Sequence, residues 1–167
     1  YDVPGKVAMI DVNGEKIAFV KEDAGSLGEI YEMNPDGTEC VKLTDFNSAC
    51  LKDKYVALPQ RVDYVSNGTE LHGWVLLPEN YEKKKKVPAV LDVHGGPRCV
   101  YAEMFFHEMQ AWAAKGYIVF FCNPHGGSGR GDEFSDIFGE QYGVRDYNDL
   151  MEFTDHVLAL YPQIDKE

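Results

Sequence analysis

Short runs in which apolar and polar residues alternate fill the first part of the chain, and tight-turn sequences separate them in pairs. Residues 7–12 and 16–20 flank Asn13-Gly14, residues 29–33 and 39–43 flank Asn34-Pro35-Asp36-Gly37, and residues 61–65 and 70–77 flank Asn67-Gly68. An Asn or Asp before Gly supplies the positive φ angles that a two-residue hairpin requires. The pattern therefore predicts antiparallel strands. Four strands within the first 43 residues have the size of one β-propeller blade, about 40–50 residues. One blade cannot cover both of its own faces, so a larger parent or a covering partner is expected.

From Val87 the pattern changes. Residues 87–93 form a short apolar run of the kind that makes a parallel strand buried on both faces, and it ends in His94-Gly95-Gly96-Pro97. A helix is predicted over 105–115, closed by Gly116 as its C-cap. Residues 117–122 give a second buried strand ending in Asn123-Pro124, and a glycine-rich loop, 125–131, follows. Tyr147, Leu150, Met151, Thr154, Val157, Leu158 and Tyr161 recur at helical spacing over 145–161, and Pro162 stops the run. Strand, helix, strand, helix predicts parallel pairing with right-handed crossovers. The fold class is thus α/β, a partial α/β sheet preceded by a propeller-type antiparallel blade. The expected division is 1–50 for the blade, 51–60 for a linker and 61–167 for the α/β part, which should hold a mixed sheet. The sequence ends where a further strand is expected beside 117–122, which would leave Val119, Phe120 and Phe121 on an unpaired edge. Self-association of this chain is one expected consequence.

Charge narrows the functions. Sixteen Lys and Arg against 28 Asp and Glu give a net charge of −12, a field that repels phosphate backbones and anionic lipid. Nucleic acid and membrane surface are therefore not expected as partners. No run approaches the roughly 20 apolar residues of a membrane span, and no signal peptide is visible, so a cytoplasmic location is expected. Tyr1 in first place implies a native N-terminus further upstream. Cys40, Cys50, Cys99 and Cys122 form no CxxC pair and are expected as reduced thiols, with Cys99 and Cys122 acting as small apolar residues. Asn67-Gly68-Thr69 has the form of a glycosylation sequon, but the hairpin reading is preferred. Lys83 to Lys86 read as a solvated loop.

His94-Gly95-Gly96-Pro97 is the sharpest chemical signal. It follows a buried strand at the carboxyl end, where open α/β sheets place ligand sites. Two glycines let the backbone approach a substrate and present N–H groups to an oxyanion. A nucleophile is missing. G-x-S-x-G centred on Ser128 fails at Arg130, Ser26 has Ala24 where glycine is needed, and a dinucleotide fingerprint starting at Gly127 fails at Asp132. Histidines 72, 94, 107, 125 and 156 lack metal-ligand spacing, so neither a metal nor another cofactor is expected. His107 and His156 read as helix-surface residues, and Asp146, Asp149 and Asp155 as helix-start and surface charges.

Four ordered motifs carry a resemblance. Asp92-Val93-His94-Gly95-Gly96-Pro97, Gln110-Ala111-Trp112-Ala113-Ala114-Lys115-Gly116-Tyr117, Asn123-Pro124 and Gly143-Val144-Arg145-Asp146-Tyr147-Asn148-Asp149-Leu150 together resemble the prolyl oligopeptidase family. The acylaminoacyl peptidase and dipeptidyl aminopeptidase branch is the most similar. The resemblance covers nearly the whole chain: a last propeller blade, then the first half of an α/β-hydrolase domain. It implies a serine peptidase acting through an acyl-enzyme on short peptides, with the propeller screening out large ones. It places oxyanion donors at Gly95 and Gly96, and active-cleft loop residues at His94, Pro97, His125 and Arg130. The family's Ser, Asp and His triad is expected beyond Glu167, so no catalytic residue lies in this chain, which alone should be inactive. In relatives nearer prolyl oligopeptidase itself, a tyrosine hydroxyl serves from the position of His94. Two departures bear on substrate preference, His125 in place of the usual arginine and Arg130 in place of the usual tyrosine. An esterase of the same fold, or a scaffold with a decayed hydrolase domain, are the competing readings.

Overall fold

The structure, a computed structural model, describes residues 5–83, 86–95, 98–137, 139 and 141–166. Lys84, Lys85, Gly96 and Pro97, on which the basic-loop and part of the oxyanion expectations fall, lie outside the described residues.

Strands β1 (Lys6–Asn13), β2 (Lys16–Asp23), β3 (Ser26–Met33) and β4 (Val41–Lys42) form an antiparallel sheet in the order β1-β2-β3-β4. The Asn13-Gly14 hairpin sits where predicted. β3 begins three residues before the predicted Glu29 because the Asp23 carboxylate accepts hydrogen bonds from the Gly25 N–H and the Ser26 hydroxyl, both at 3.0 Å. That pairing closes a tight turn directly onto β2. β4 is shorter than the predicted 39–43, because Glu39 takes a φ of +53° and breaks the extended backbone. Glu29 is buried in this sheet. Its carboxylate accepts from the Thr44 hydroxyl at 2.5 Å and from the backbone N–H groups of Phe46 and Asn47 at 3.1 and 2.9 Å. These bonds fasten the segment leaving β4 back onto the sheet.

A short helix, α1 (Ser48–Leu51), closes the predicted blade and reaches only the first residue of the predicted linker, 51–60. Further on, Gln110 holds Ala57 from both sides, accepting from its N–H and donating to its carbonyl, each at 2.8 Å.

The second sheet contains β5 (Gln60–Ser66), β6 (Thr69–Leu76), β7 (Ala89–Leu91) and β8 (Ile118–Cys122) in the order β5-β6-β8-β7. It is mixed, as predicted: β5, β6 and β8 are antiparallel neighbours, and β7 runs parallel to β8. In the β5–β6 turn both Asn67 and Gly68 take positive φ, +47° and +80°, as a type I′ hairpin demands. Helices α2 (His107–Ala114) and α4 (Arg145–Leu160) cover opposite faces. Met109 and Ala113 of α2 pack on Trp74, Leu76, Val119 and Phe121, while Phe153 and Val157 of α4 pack on Tyr64, Val75, Phe120 and Cys122. Period-two alternation along β6 and β8 sends successive side chains to the two cores. Between Gly131 and α4 lies a short helix, α3 (Asp132–Ser135), which the sequence pattern did not reveal.

Two expectations about this sheet are corrected. β8 is not an edge, because β6 and β7 flank it and all five of its residues are buried. The edges are β5 and β7, and β7 is half-buried rather than covered on both faces. Past α4 the chain returns to the β7 edge. The Val87 N–H donates to the Gln163 carbonyl at 2.8 Å and the Asp165 N–H to the Val87 carbonyl at 2.9 Å, a parallel bridge between Val87 and Ile164. No helix among the described residues is long and apolar enough to cross a membrane.

Candidate active-site loops

The His94-Gly95 segment leaves the carboxyl end of β7, and the chain following it is pinned at several points. The Tyr101 hydroxyl donates to the Asp92 carboxylate at the end of the strand. The Tyr101 backbone N–H donates to Asn123 Oδ1 at 2.7 Å, and Asn123 Nδ2 returns a bond to the Tyr101 carbonyl at 3.0 Å. Asn123 is the first residue after β8, so this reciprocal pair ties the loop to the central strand. The Tyr101 ring lies edge-on to His94, Phe106 and Phe121, with centroids 5.0, 5.5 and 5.0 Å away. Burial pushes the Tyr101 phenol well above its ordinary range, so it donates to Asp92 as a neutral hydroxyl.

His94 itself is half-buried. Neither ring nitrogen has a hydrogen-bond partner among the described residues. Burial holds the imidazole below its ordinary value, against smaller opposing effects from its own backbone, the Asp92 carboxylate and the Gly95 backbone. It faces a small cavity of about 100 Å3 together with Gly95, His125, Gly127 and Asp146. Gly95 is exposed, and a side chain there would meet nothing within 4 Å, so the backbone at this position is open to a reacting group.

The glycine loop, 125–131, lies alongside. The Arg98 N–H donates to the Gly126 carbonyl at 2.9 Å, the Ser128 N–H to the Cys99 carbonyl at 3.0 Å, and the Ser128 hydroxyl to the Arg98 carbonyl. His94, Gly95 and His125 are thus brought together. Arg130 is placed further along: its guanidinium donates to the Glu70 carbonyl at 2.8 Å and lies 4.8 Å from the centre of the Phe134 ring. There it borders a groove of about 490 Å3 with Arg61, Asp63 and His72.

Asp149 overturns its reading as a helix-surface charge. It is 0% exposed, and its carboxylate accepts from the Ser66 hydroxyl at 2.5 Å, the His125 backbone N–H at 2.7 Å and the His125 ring Nδ1 at 2.6 Å. A signal was present in the sequence. Asp149, Phe153 and Val157 recur every four residues, so the aspartate shares the helix stripe of two core residues. Ser, Asp and His are the residue types of a hydrolytic triad, but the connectivity here is different. The serine hydroxyl bonds to the carboxylate, not to the imidazole, and Ser66 is fully buried. The hydroxyls of Ser26, Ser48, Ser128 and Ser135 likewise donate to carboxylate or carbonyl oxygens. Among the described residues no serine is poised on a histidine base. Cys122 is excluded as a nucleophile because burial pushes its thiol up to about 12. All four cysteines are free, and Cys99, expected as a small apolar residue, is exposed instead. His107 and His156 are exposed, as predicted.

Comparison with known proteins identifies the relatives. The prolyl oligopeptidase family matches at residues 103–167. The uncharacterized peptidase YuxL of Bacillus subtilis is 36% identical over 138 residues, 82% of this chain and 21% of that protein. Dipeptidyl-peptidase 5 of Aspergillus fumigatus is 35% identical over 96 residues, 56% of this chain and 13% of that protein. Acylaminoacyl peptidase of Pyrococcus horikoshii superposes with a TM-score of 0.91 at 32% identity, over 100% of this chain and 26% of that structure. The chain therefore spans about a quarter or less of the relatives it matches. With a relative 36% identical over 82% of this chain and a solved structure that superposes over all of it, the chain belongs to the prolyl oligopeptidase family.

Proposed function

We propose that the protein to which this chain belongs is a serine peptidase that cleaves short peptides, acylaminoacyl- or dipeptidyl-peptidase-like, through an acyl-enzyme. The chain supplies part of the oxyanion site and the loops bordering the cleft, while the nucleophile, acid and base come from residues outside it. The observation that carries the reading is the Gly95 backbone, open to solvent at the carboxyl end of β7. The segment before it is paired to the sheet, the Asp92 N–H donating to the Phe120 carbonyl at 2.9 Å. Such prior placement is what makes a donor effective when negative charge develops on a carbonyl oxygen. His94, kept neutral by burial, adds no fixed charge to that corner. By itself the chain lacks a group able to attack a carbonyl and should not turn over.

The test is to assay the full-length protein on an acyl-amino-acid amide, on a dipeptidyl amide with a free amino terminus, and on a short acyl ester. Turnover of either amide with kcat/KM above that of the ester supports a peptidase. Ester cleavage alone would replace the reading with an esterase, and failure on all three would favour a non-catalytic scaffold.

A further inference from the structure

We infer that Asp149 is a positioning residue for the oxyanion loop, acting at a distance through His125 and the glycine loop; this rests on the oxyanion role proposed above for Gly95. A carboxylate with no exposed surface is costly to bury unless donors surround it. Asp149 has three, from Ser66 Oγ, the His125 backbone N–H and His125 Nδ1, all within 2.7 Å. The His125 backbone N–H and ring Nδ1 both meet the same carboxylate oxygen, Oδ2, at 2.7 and 2.6 Å. Backbone and ring of His125 are thereby fixed together, and the first residue of the glycine loop can neither rotate nor slide.

The constraint continues through the loop. The Gly126 N–H donates to the Phe134 carbonyl at 2.9 Å, and the Gly126 carbonyl receives the Arg98 N–H at 2.9 Å. Gly126 takes a φ of +90°, and a methyl group there would lie 3.0 Å from Ile137 Cδ1, so this link has little room to move. Two residues later Ser128 holds the carbonyls of Cys99 and Arg98. Arg98 and Cys99 are thus suspended from the glycine loop, and the glycine loop from Asp149. None of these atoms touches a substrate. Their effect is on where the oxyanion donor stands, and a misplacement of 1 Å at a reacting centre costs on the order of a hundredfold in rate.

The experiment compares Asp149→Asn and Ser128→Ala with the wild type in the full-length protein. An asparagine oxygen cannot replace both carboxylate oxygens, so Asp149→Asn should lower kcat by about a hundredfold while KM stays within about twofold. Ser128→Ala removes the hydroxyl bond to the Arg98 carbonyl and leaves the backbone bonds to Cys99 and Gly126, so it weakens the link near the surface and should lower kcat by about tenfold without shifting the unfolding temperature. The double variant should be no worse than Asp149→Asn, because both act on one connection. Hydrogen exchange supplies a readout independent of turnover: Asp149→Asn should accelerate exchange in residues 92–100 as well as in 125–131.

Unchanged kcat in a folded Asp149→Asn protein, or acceleration confined to 125–131, would overturn the inference. Should Asp149→Asn fail to fold, Ser66→Ala, which removes one of the three donors, takes its place under the same criteria. A wild-type protein without acyl hydrolysis defeats the proposed function, and the exchange pattern alone then decides whether the two loops are coupled through Asp149.

Discussion

A methyl group at Gly73 has nowhere to go. Its carbon would lie 2.4 Å from Phe153 Cζ, 2.5 Å from the Phe121 carbonyl and 2.7 Å from Cys122 Cβ, and two of these three atoms belong to the central strand. Glycine is required here by close packing rather than by backbone angle. Gly73→Ala is expected to cost about 1–3 kcal/mol or more as overpacking, read as a lowered thermal midpoint with an unchanged blade spectrum. Glu29 makes the corresponding case for charge. The Thr44 hydroxyl chiefly, and then the Phe46 and Asn47 donors, hold its carboxyl below the ordinary 4.5 even though burial pulls the other way. The folded form therefore favours the ionised state. Its contribution is fully present above 4.5 and is lost as pH falls through the lower, folded value. Acid unfolding followed from pH 7 downward should show this loss below 4.5, and Glu29→Gln should flatten that part of the curve. A Gln variant with the same acid limb as wild type would contradict the assignment.

At the scale of elements, hydrogen-bonding position outweighs hydrophobicity. β7 and β8 both read as apolar runs, yet β8 is flanked on both sides and β7 on one. Amides of β8 should accordingly exchange slowest in the chain, with β7 slower than β1 but faster than β8, as measured residue by residue by NMR. The opposite order for β7 and β8 would show the sheet order to be wrong. The same contrast explains what was legible in advance. Hairpins marked by Asn13-Gly14 and Asn67-Gly68, the α2 stop at Gly116 and the α4 stripe are local signals, and local sequence carries them. Which strand stands at the edge depends on the pairing order of distant segments, which periodicity cannot encode. The β2–β3 turn was hidden because its closure depends on the side chain of Asp23 rather than on an Asn-Gly pair. Asp149 was misread for a related reason. An aspartate near a helix start is ordinarily a solvated charge, and only the tertiary approach of His125 and Ser66 makes it a buried acceptor. The place of His94-Gly95 just after a strand, by contrast, is carried by residue order alone.

At the scale of the whole molecule, the blade presents apolar residues to solvent. Met9, Ile10 and Val12 of β1 are 84, 64 and 60% exposed, and Phe46 is 69% exposed. With the open edge of β7 this surface favours association, whereas the net charge of −12 opposes it. We expect the 167-residue chain to self-associate at high concentration and the tendency to grow with added salt as repulsion is screened. Light scattering at low and moderate ionic strength checks this, and a stable monomer under both conditions would contradict it. The reading we propose is that this chain contributes oxyanion and cleft loops to a serine hydrolase whose nucleophile lies outside residues 1–167. Labelling of the active full-length protein with a serine-directed fluorophosphonate, followed by peptide mass mapping, tests it most directly. A single labelled serine outside residues 1–167 is the predicted result. Label on Ser66, Ser128 or any other serine within these 167 residues would contradict it.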